Sequence, residues 1–150
     1  MKVVLDTNVF ITAFKDEYSY QKRIIDEIIG GRLMAYANRQ TLRENHLILR
    51  RMINDGAYLK ELNNLFAKIN VVENRRQIHA VSDKEDNKIL ESAVEARADF
   101  LITEDRALLE LNPFRAVKIV EPGEFWVIYE EETGEDPWQK WIKFVKGSGN

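Results

Sequence analysis

The stretch Lys2-Val3-Val4-Leu5-Asp6-Thr7-Asn8-Val9-Phe10-Ile11 decides how the rest of the chain is read. Val3 to Leu5 suit a strand buried on both faces, as in a parallel sheet covered by helices. Asp6 then stands at the carboxyl end of that strand, where open α/β sheets receive their ligands. Capping of a following helix by an Asp6 or Thr7 side-chain oxygen explains the same residue types. What separates the two readings is whether further carboxylates occur at equally unusual positions.

Outward from this strand, helical and strand-like runs alternate with no internal repeat. Thr7 to Phe14 reads as a short helix, and Tyr18 to Ile29 carries Ile24, Ile25, Ile28 and Ile29 at helical spacing before Gly30-Gly31 stops it. Arg32 to Ala37 is a strand, and Asn38 caps a helix running to about Asn54. Ala57 to Lys68 is a helix, Val71-Val72 a strand fragment and Glu73 to Ser82 a polar connection. Asp83 to Arg97 is helical, Asp99 to Thr103 a strand, Arg106 to Leu111 a short helix and Val117 to Val120 a strand. Glu121-Pro122-Gly123-Glu124 opens another helix. The alternation implies βαβ units, right-handed crossovers and a mostly parallel sheet between helical layers, an αβα sandwich. The domain is expected over residues 1–129. Residues 130–150 read as an acidic linker, Glu130 to Asp136, then a short amphipathic helix and a flexible end, Gly147-Ser148-Gly149-Asn150. That helix is expected to dock on its own domain through Trp138, Trp141, Ile142 and Val145.

A chain of 150 residues supports one domain with a real core. It has no cysteine and only the histidines His46 and His79, so a metal here would be held by oxygen. No apolar run approaches the roughly 20 residues of a membrane span, and the N-terminus lacks a signal peptide's layout, so the expected location is the cytoplasm. The formal charge of −3 argues against nonspecific electrostatic nucleic-acid binding but allows local basic patches beside an acidic centre.

Three further carboxylates do occur at such positions. Glu44 is followed four and eight residues on by Ile48 and Met52, which puts it in or beside an apolar stripe. Asp86 precedes Ile89, Leu90 and Ala93 on one helical face, and Asp105 follows a strand as Asp6 does. Each has a structural explanation taken singly: Asp83 and Asp86 favour a helix start, and Arg51 could pair with Glu44. Together, buried carboxylates without a cation repel and protonate, at a cost of several kcal/mol. A divalent cation removes that conflict, and an all-oxygen ligand set selects Mg²⁺ or Mn²⁺ over zinc.

These residues resemble the PIN domain family of metal-dependent nucleases, in particular its single-domain branch of toxins from toxin-antitoxin pairs. The blocks that carry the resemblance are Val4 to Val9, Thr41-Leu42-Arg43-Glu44, Asp86 to Ala93 and Ala98 to Leu109, in the family's order. The last is the most specific; Arg43-Glu44-Asn45-His46 is more polar than the family's usual pattern. The resemblance implies a five-stranded parallel sheet and hydrolysis of RNA phosphodiesters with Mg²⁺ or Mn²⁺. Its acidic positions fall on Asp6, Glu44, Asp86 and Asp105, and its polar helpers on Asn8 and Thr103. Asp6, Asp86 and Asp105 would ligate metal directly or through water, Glu44 would position water, and a cognate antitoxin and a homodimer are the implied partners.

For RNA, Arg39, Arg43 and Arg50 share about one helical face, and Lys84 and Arg106 flank acidic positions, where they could hold phosphates. A haloacid-dehalogenase phosphatase would need a second Asp where Asn8 stands, and a response-regulator receiver would need paired acids beside Asp6. The alternative from another class is a catalytically silent PIN-like interaction module, in which the acids serve only as structure.

Overall fold

Alternation along the strands divides the apolar residues between two cores. Val3, Leu5, Ala35, Ala37, Phe100 and Ile102 join one of them, and Val4, Leu101 and Ile119 the other. The computed structural model describes residues 1–134 and 137–148. In chain order the elements are β1 (Lys2–Leu5), α1 (Thr7–Lys15), α2 (Tyr20–Ile29), β2 (Met34–Asn38), α3 (Arg39–Met52), α4 (Gly56–Lys68) and β3 (Asn70–Val72). There follow α5 (Lys84–Glu95), β4 (Phe100–Ile102), α6 (Arg106–Leu109), β5 (Lys118–Val120), α7 (Pro122–Thr133) and α8 (Pro137–Ser148).

The five strands form one sheet in the order β3-β2-β1-β4-β5, every neighbouring pair parallel. Apolar side chains of α1, α2, α3, α4 and α7 fill the core on one face, and those of α5 and α6 fill it on the other. The architecture is the expected αβα sandwich about a five-stranded sheet, and the sheet is parallel throughout. Because each crossover helix runs back along the sheet, its first turn lies at the carboxyl edge of the strands.

Local chemistry sets the helix ends there. Asn38 Oδ1 accepts from the Thr41 backbone N–H at 2.8 Å to start α3, and Asp83 Oδ1 accepts from Glu85 and Asp86 at 2.8 and 3.1 Å to start α5. Gly31, with φ +76°, supplies the left-handed turn between α2 and β2 that a side chain would resist. The buried Lys22 ammonium binds Asp26, on its own helix, and Glu61, which joins α2 to α4.

Helix α7 closes the larger core. Phe125 is fully buried, edge-on to Phe100 at 5.3 Å and stacked on Tyr129 at 5.6 Å. The Tyr129 hydroxyl donates to Glu27 at 2.8 Å, and burial together with that carboxylate pushes the phenol up to about 12. The expected linker from Glu130 is corrected: Glu130 to Thr133 continue α7 because their backbone still bonds within the helix, while Glu135 and Asp136 lie outside the described residues. In α8, Ile142 is partly buried, whereas Trp141, Val145 and Phe144 are exposed, Phe144 at 73 %. The Trp138 side chain, Gly149 and Asn150 lie outside the described residues, and Gly147 and Ser148 are helical where a flexible end was expected.

Replacing Phe125 by Ala removes a ring from a filled core, at an expected cost of about 3–5 kcal/mol in urea unfolding. Phe144→Ala is expected to stay within about 0.5 kcal/mol, as for a surface site. Equal effects of the two would show that α7 does not belong to the folding unit.

Candidate metal centre

The sheet grows from β1 towards β2 and β3 on one side and towards β4 and β5 on the other. The crevice outside the carboxyl ends of β1 and β4 is therefore the topological switch point, where open α/β sheets bind ligands. The register pairs Leu5 with Ile102, so Asp6 and Thr103 leave the sheet side by side. The Asp6 backbone N–H donates to the Ile102 carbonyl at 3.0 Å. The fully buried Thr103 hydroxyl donates to Asp6 Oδ2 at 2.8 Å and accepts from the Asp105 backbone N–H at 3.0 Å. One hydroxyl thus fixes the first acid and the backbone of the second. Asp105 Oδ1 accepts from the Leu108 N–H at 3.3 Å, capping α6. Asp86 reaches the same edge from the first turn of α5, half-buried.

The electrostatics link these three acids. Burial pushes the Asp6 carboxyl, only 7 % exposed, above its usual range. The hydrogen bond from the Thr103 hydroxyl and the nearby backbone N–H dipoles of Thr7 and Asn8 pull the other way, and the Asp105 charge pushes it further up. Asp86 is pushed up to about 6, first by burial and then by the charges of Asp105, Asp83, Asp6 and Glu85. Among the described residues the ion pairs engage Lys22, Arg32 and Lys88, and none involves Asp6, Asp86 or Asp105. The donor chemistry and the uncompensated charge fit a hard divalent cation. The acids do not form a closed cage as they stand: among the described residues no three Asp, Glu or His side chains are gathered tightly enough to ligate one ion.

Glu44 lies elsewhere than its sequence spacing indicates. It is exposed and accepts from Gln40 Nε2 at 3.2 Å, and Ile48 and Met52 on the same row are exposed as well. The buried row of α3 is Thr41, Asn45 and Leu49. Arg51, its expected partner, is exposed, and Glu44 does not contribute to the shifts of Asp6 or Asp86. Asn8 is exposed, with its backbone N–H turned to the Asp6 carboxylate. Arg39, Arg43, Arg50, Lys84 and Arg106 are all exposed. Arg39 begins α3 at the carboxyl edge, whereas Arg50 sits about 16 Å down the helix axis.

Sequence reasoning missed Asn45, which is 2 % exposed and accepts from the Thr7 hydroxyl at 2.7 Å, tying α3 to the start of α1 beside Asp6. Among the described residues its Nδ2 has no hydrogen-bond partner, and neither does the buried Thr41 Oγ1. The only available signal was a polar residue at i, i+4 with Thr41, a pattern that resembles a solvated face.

The fold and the acidic crevice define an α/β protein whose carboxylates converge at a sheet switch point. Comparison with known families makes this specific: the pattern of the PIN domain matches residues 2–107, and the chain belongs to that family, whose members are generally metal-dependent nucleases that act on RNA. The chain is also 29 % identical over 119 residues to the uncharacterized protein MJ1680 of Methanocaldococcus jannaschii, spanning 75 % of this chain and 76 % of that one. No solved structure matches it. Among the described residues no helix is long and apolar enough to cross a membrane.

The raised Asp86 carboxyl fixes a sign. Its folded value of about 6 exceeds the ordinary 3.8, so its contribution to stability is complete below about 3.8 and is lost as pH rises through about 6. In metal-free protein, Asp86→Asn should therefore flatten the fall in stability across that interval, measured by urea unfolding in chelator at a series of pH values. Parallel pH profiles for the two proteins would show that Asp86 does not feel its neighbours.

Proposed function

We propose that this chain is a metal-dependent endoribonuclease that hydrolyses RNA phosphodiester bonds in the crevice between the ends of β1 and β4. The observation that carries the reading is the convergence of Asp6, Asp86 and Asp105 from three separate elements, with no ion pair among the described residues to balance them. Asp6, Asp86 and Asp105 would hold the ion, Mg²⁺ or Mn²⁺ from their oxygen chemistry, and Glu44, exposed on α3, would act on it only through water. When bound, such an ion supplies Lewis acidity at a phosphate and an ionised water near neutral pH.

The chain's own residues supply position. Thr103, donating to Oδ2 of Asp6, orients that carboxylate and leaves Oδ1 without this bond. The Thr7 and Asn8 backbone N–H groups oppose protonation of the buried Asp6. Arg39, Lys84 and Arg106, exposed at the carboxyl edge, are suited to RNA phosphates, and Arg43 and Arg50 extend that track along α3. We extend the proposal to a cytoplasmic toxin of a toxin-antitoxin pair, with a cognate antitoxin and a homodimer as partners, on the strength of the Val4 to Val9 and Ala98 to Leu109 blocks.

The test is manganese-dependent cleavage of single-stranded RNA. Asp6→Asn and Asp105→Asn are expected to reduce it to background while keeping the folded circular-dichroism spectrum. Thr103→Val should lower it by about 10- to 100-fold, as for a group that orients a ligand. A folded wild-type protein without metal-dependent cleavage would return the acids to structure and favour the interaction module.

A further inference from the structure

Beside the acidic crevice lies an open cleft of about 640 Å³ that the acids do not use. It sits at the carboxyl edge of the sheet, between the turn joining α1 to α2, the start of α7 and the loop after β4. Glu104 lines it, immediately between Thr103, which holds Asp6, and Asp105, so the cleft and the crevice share a wall. Its volume falls in the range of small-ligand sites.

Two tyrosines stand at this cleft. Tyr18 is 85 % exposed and Tyr20 47 % exposed, so neither ring is there to fill the core. The backbone that carries Tyr18 and the ring of Tyr20 are nonetheless held in defined positions. The Tyr18 backbone N–H donates to Asp16 Oδ1 at 3.0 Å, and the Ser19 hydroxyl donates to the Asp16 carbonyl at 2.7 Å, which fixes the turn that projects Tyr18. The Tyr20 ring lies against Gly123, where an added Cβ would meet it at 3.4 Å, and under the Arg23 guanidinium at 5.5 Å. One held ring and a second carried on a fixed turn beside an open cleft offer a stacking platform for a flat, neutral ring.

The polar groups select which ring. The buried Gln21 amide donates to Glu104 Oε1 at 2.5 Å, which orients the carboxylate and leaves its remaining lone pairs for another donor. Asp16 and Glu121 also line the cleft, so the lining repels a phosphate and accepts N–H groups. Among the bases of RNA, guanine alone offers two adjacent N–H donors on its Watson–Crick edge, the pattern that one carboxylate takes in parallel.

We propose that the cleft lined by Tyr18, Tyr20 and Glu104 is a base subsite that takes an unpaired guanine of single-stranded RNA next to the phosphate held at the acidic crevice. The base stacks on the tyrosines, its Watson–Crick edge meets Glu104, and its phosphate stays on the side of Asp105 and Arg106. This rests on the nuclease reading and adds to it a substrate class: RNA whose cleavage site is flanked by an unstacked, unpaired guanine.

The test is equilibrium binding of the full chain, in Ca²⁺ to fill the oxygen site and with the oligomers checked intact afterwards, to fluorescein-labelled 12-residue oligouridine and to the same oligomer with one central guanosine, read by anisotropy. Wild type is expected to bind the guanosine oligomer about tenfold more tightly. Tyr18→Ala should weaken it at least fivefold, the low end for loss of one stacked base, while Tyr18→Phe retains wild-type affinity. Glu104→Gln should erase the preference for guanosine while binding oligouridine at least as tightly as wild type. Both sites are exposed, so the variants are expected to fold. Wild-type affinity in Tyr18→Ala, or an undiminished guanosine preference in Glu104→Gln, overturns the subsite even if Asp6→Asn abolishes cleavage. If wild type also binds a labelled arginine-rich peptide and Tyr18→Ala or Glu104→Gln loses that binding with RNA binding intact, the cleft belongs to a protein partner and the subsite is overturned equally. Failure of wild type to bind or cleave any RNA would instead remove the nuclease reading on which the subsite stands.

Discussion

Everything at the carboxyl edge depends on the adjacency of β1 and β4 and the hydrogen bond it permits between Thr103 and Asp6. Two strands distant in sequence pair in a parallel register that brings a buried carboxylate against a buried hydroxyl. A buried carboxylate left without donors would protonate or unfold its surroundings. Here the hydroxyl and two backbone N–H groups oppose the upward push of burial without cancelling it, while Asp105 and Asp86 approach from the end of β4 and the start of α5. The fold therefore carries a local electrostatic penalty that packing offsets, the pattern expected when a site is kept for a ligand rather than for stability.

The elements were legible in the sequence because long periodic segments and their caps agree. The isoleucine stripe of α2, the Asn38 and Asp83 caps and the apolar runs of β1 and β4 each reported the local structure that tertiary packing also required. Strand-end position was enough to put Asp6 and Asp105 at the carboxyl edge of the sheet, since the end of a parallel strand has only one place to go. Asp86 was legible from the helix phase, because Ile89, Leu90 and Ala93 do face the core.

Glu44 shows where that reasoning stops. Ile48 and Met52 suggested a buried row, but α3 packs through Thr41, Asn45 and Leu49, and the polar pair Thr7 with Asn45 occupies space that apolar side chains usually fill. A hydrogen bond between residues 38 positions apart leaves no periodic trace in either segment. The same holds for Gln21 and Glu104, 83 positions apart, whose contact appears only when α2 and the loop after β4 meet. At the C-terminus, the acidic run from Glu130 resembled a linker because charge alone does not distinguish a solvated helix from a loop.

The central claim is that Asp6, Asp86 and Asp105 are held together for a divalent cation. Calorimetric titration of the metal-free protein with Mn²⁺ tests it most directly, run in two buffers of different ionisation enthalpy at pH 5.5 and pH 7.5, conditions on either side of about 6. The account predicts saturable binding at both, proton release at the lower pH as the raised Asp86 carboxyl ionises, and loss of that release in Asp86→Asn. Absence of saturable Mn²⁺ binding at pH 7.5, or binding of unchanged strength in Asp6→Asn, would contradict it.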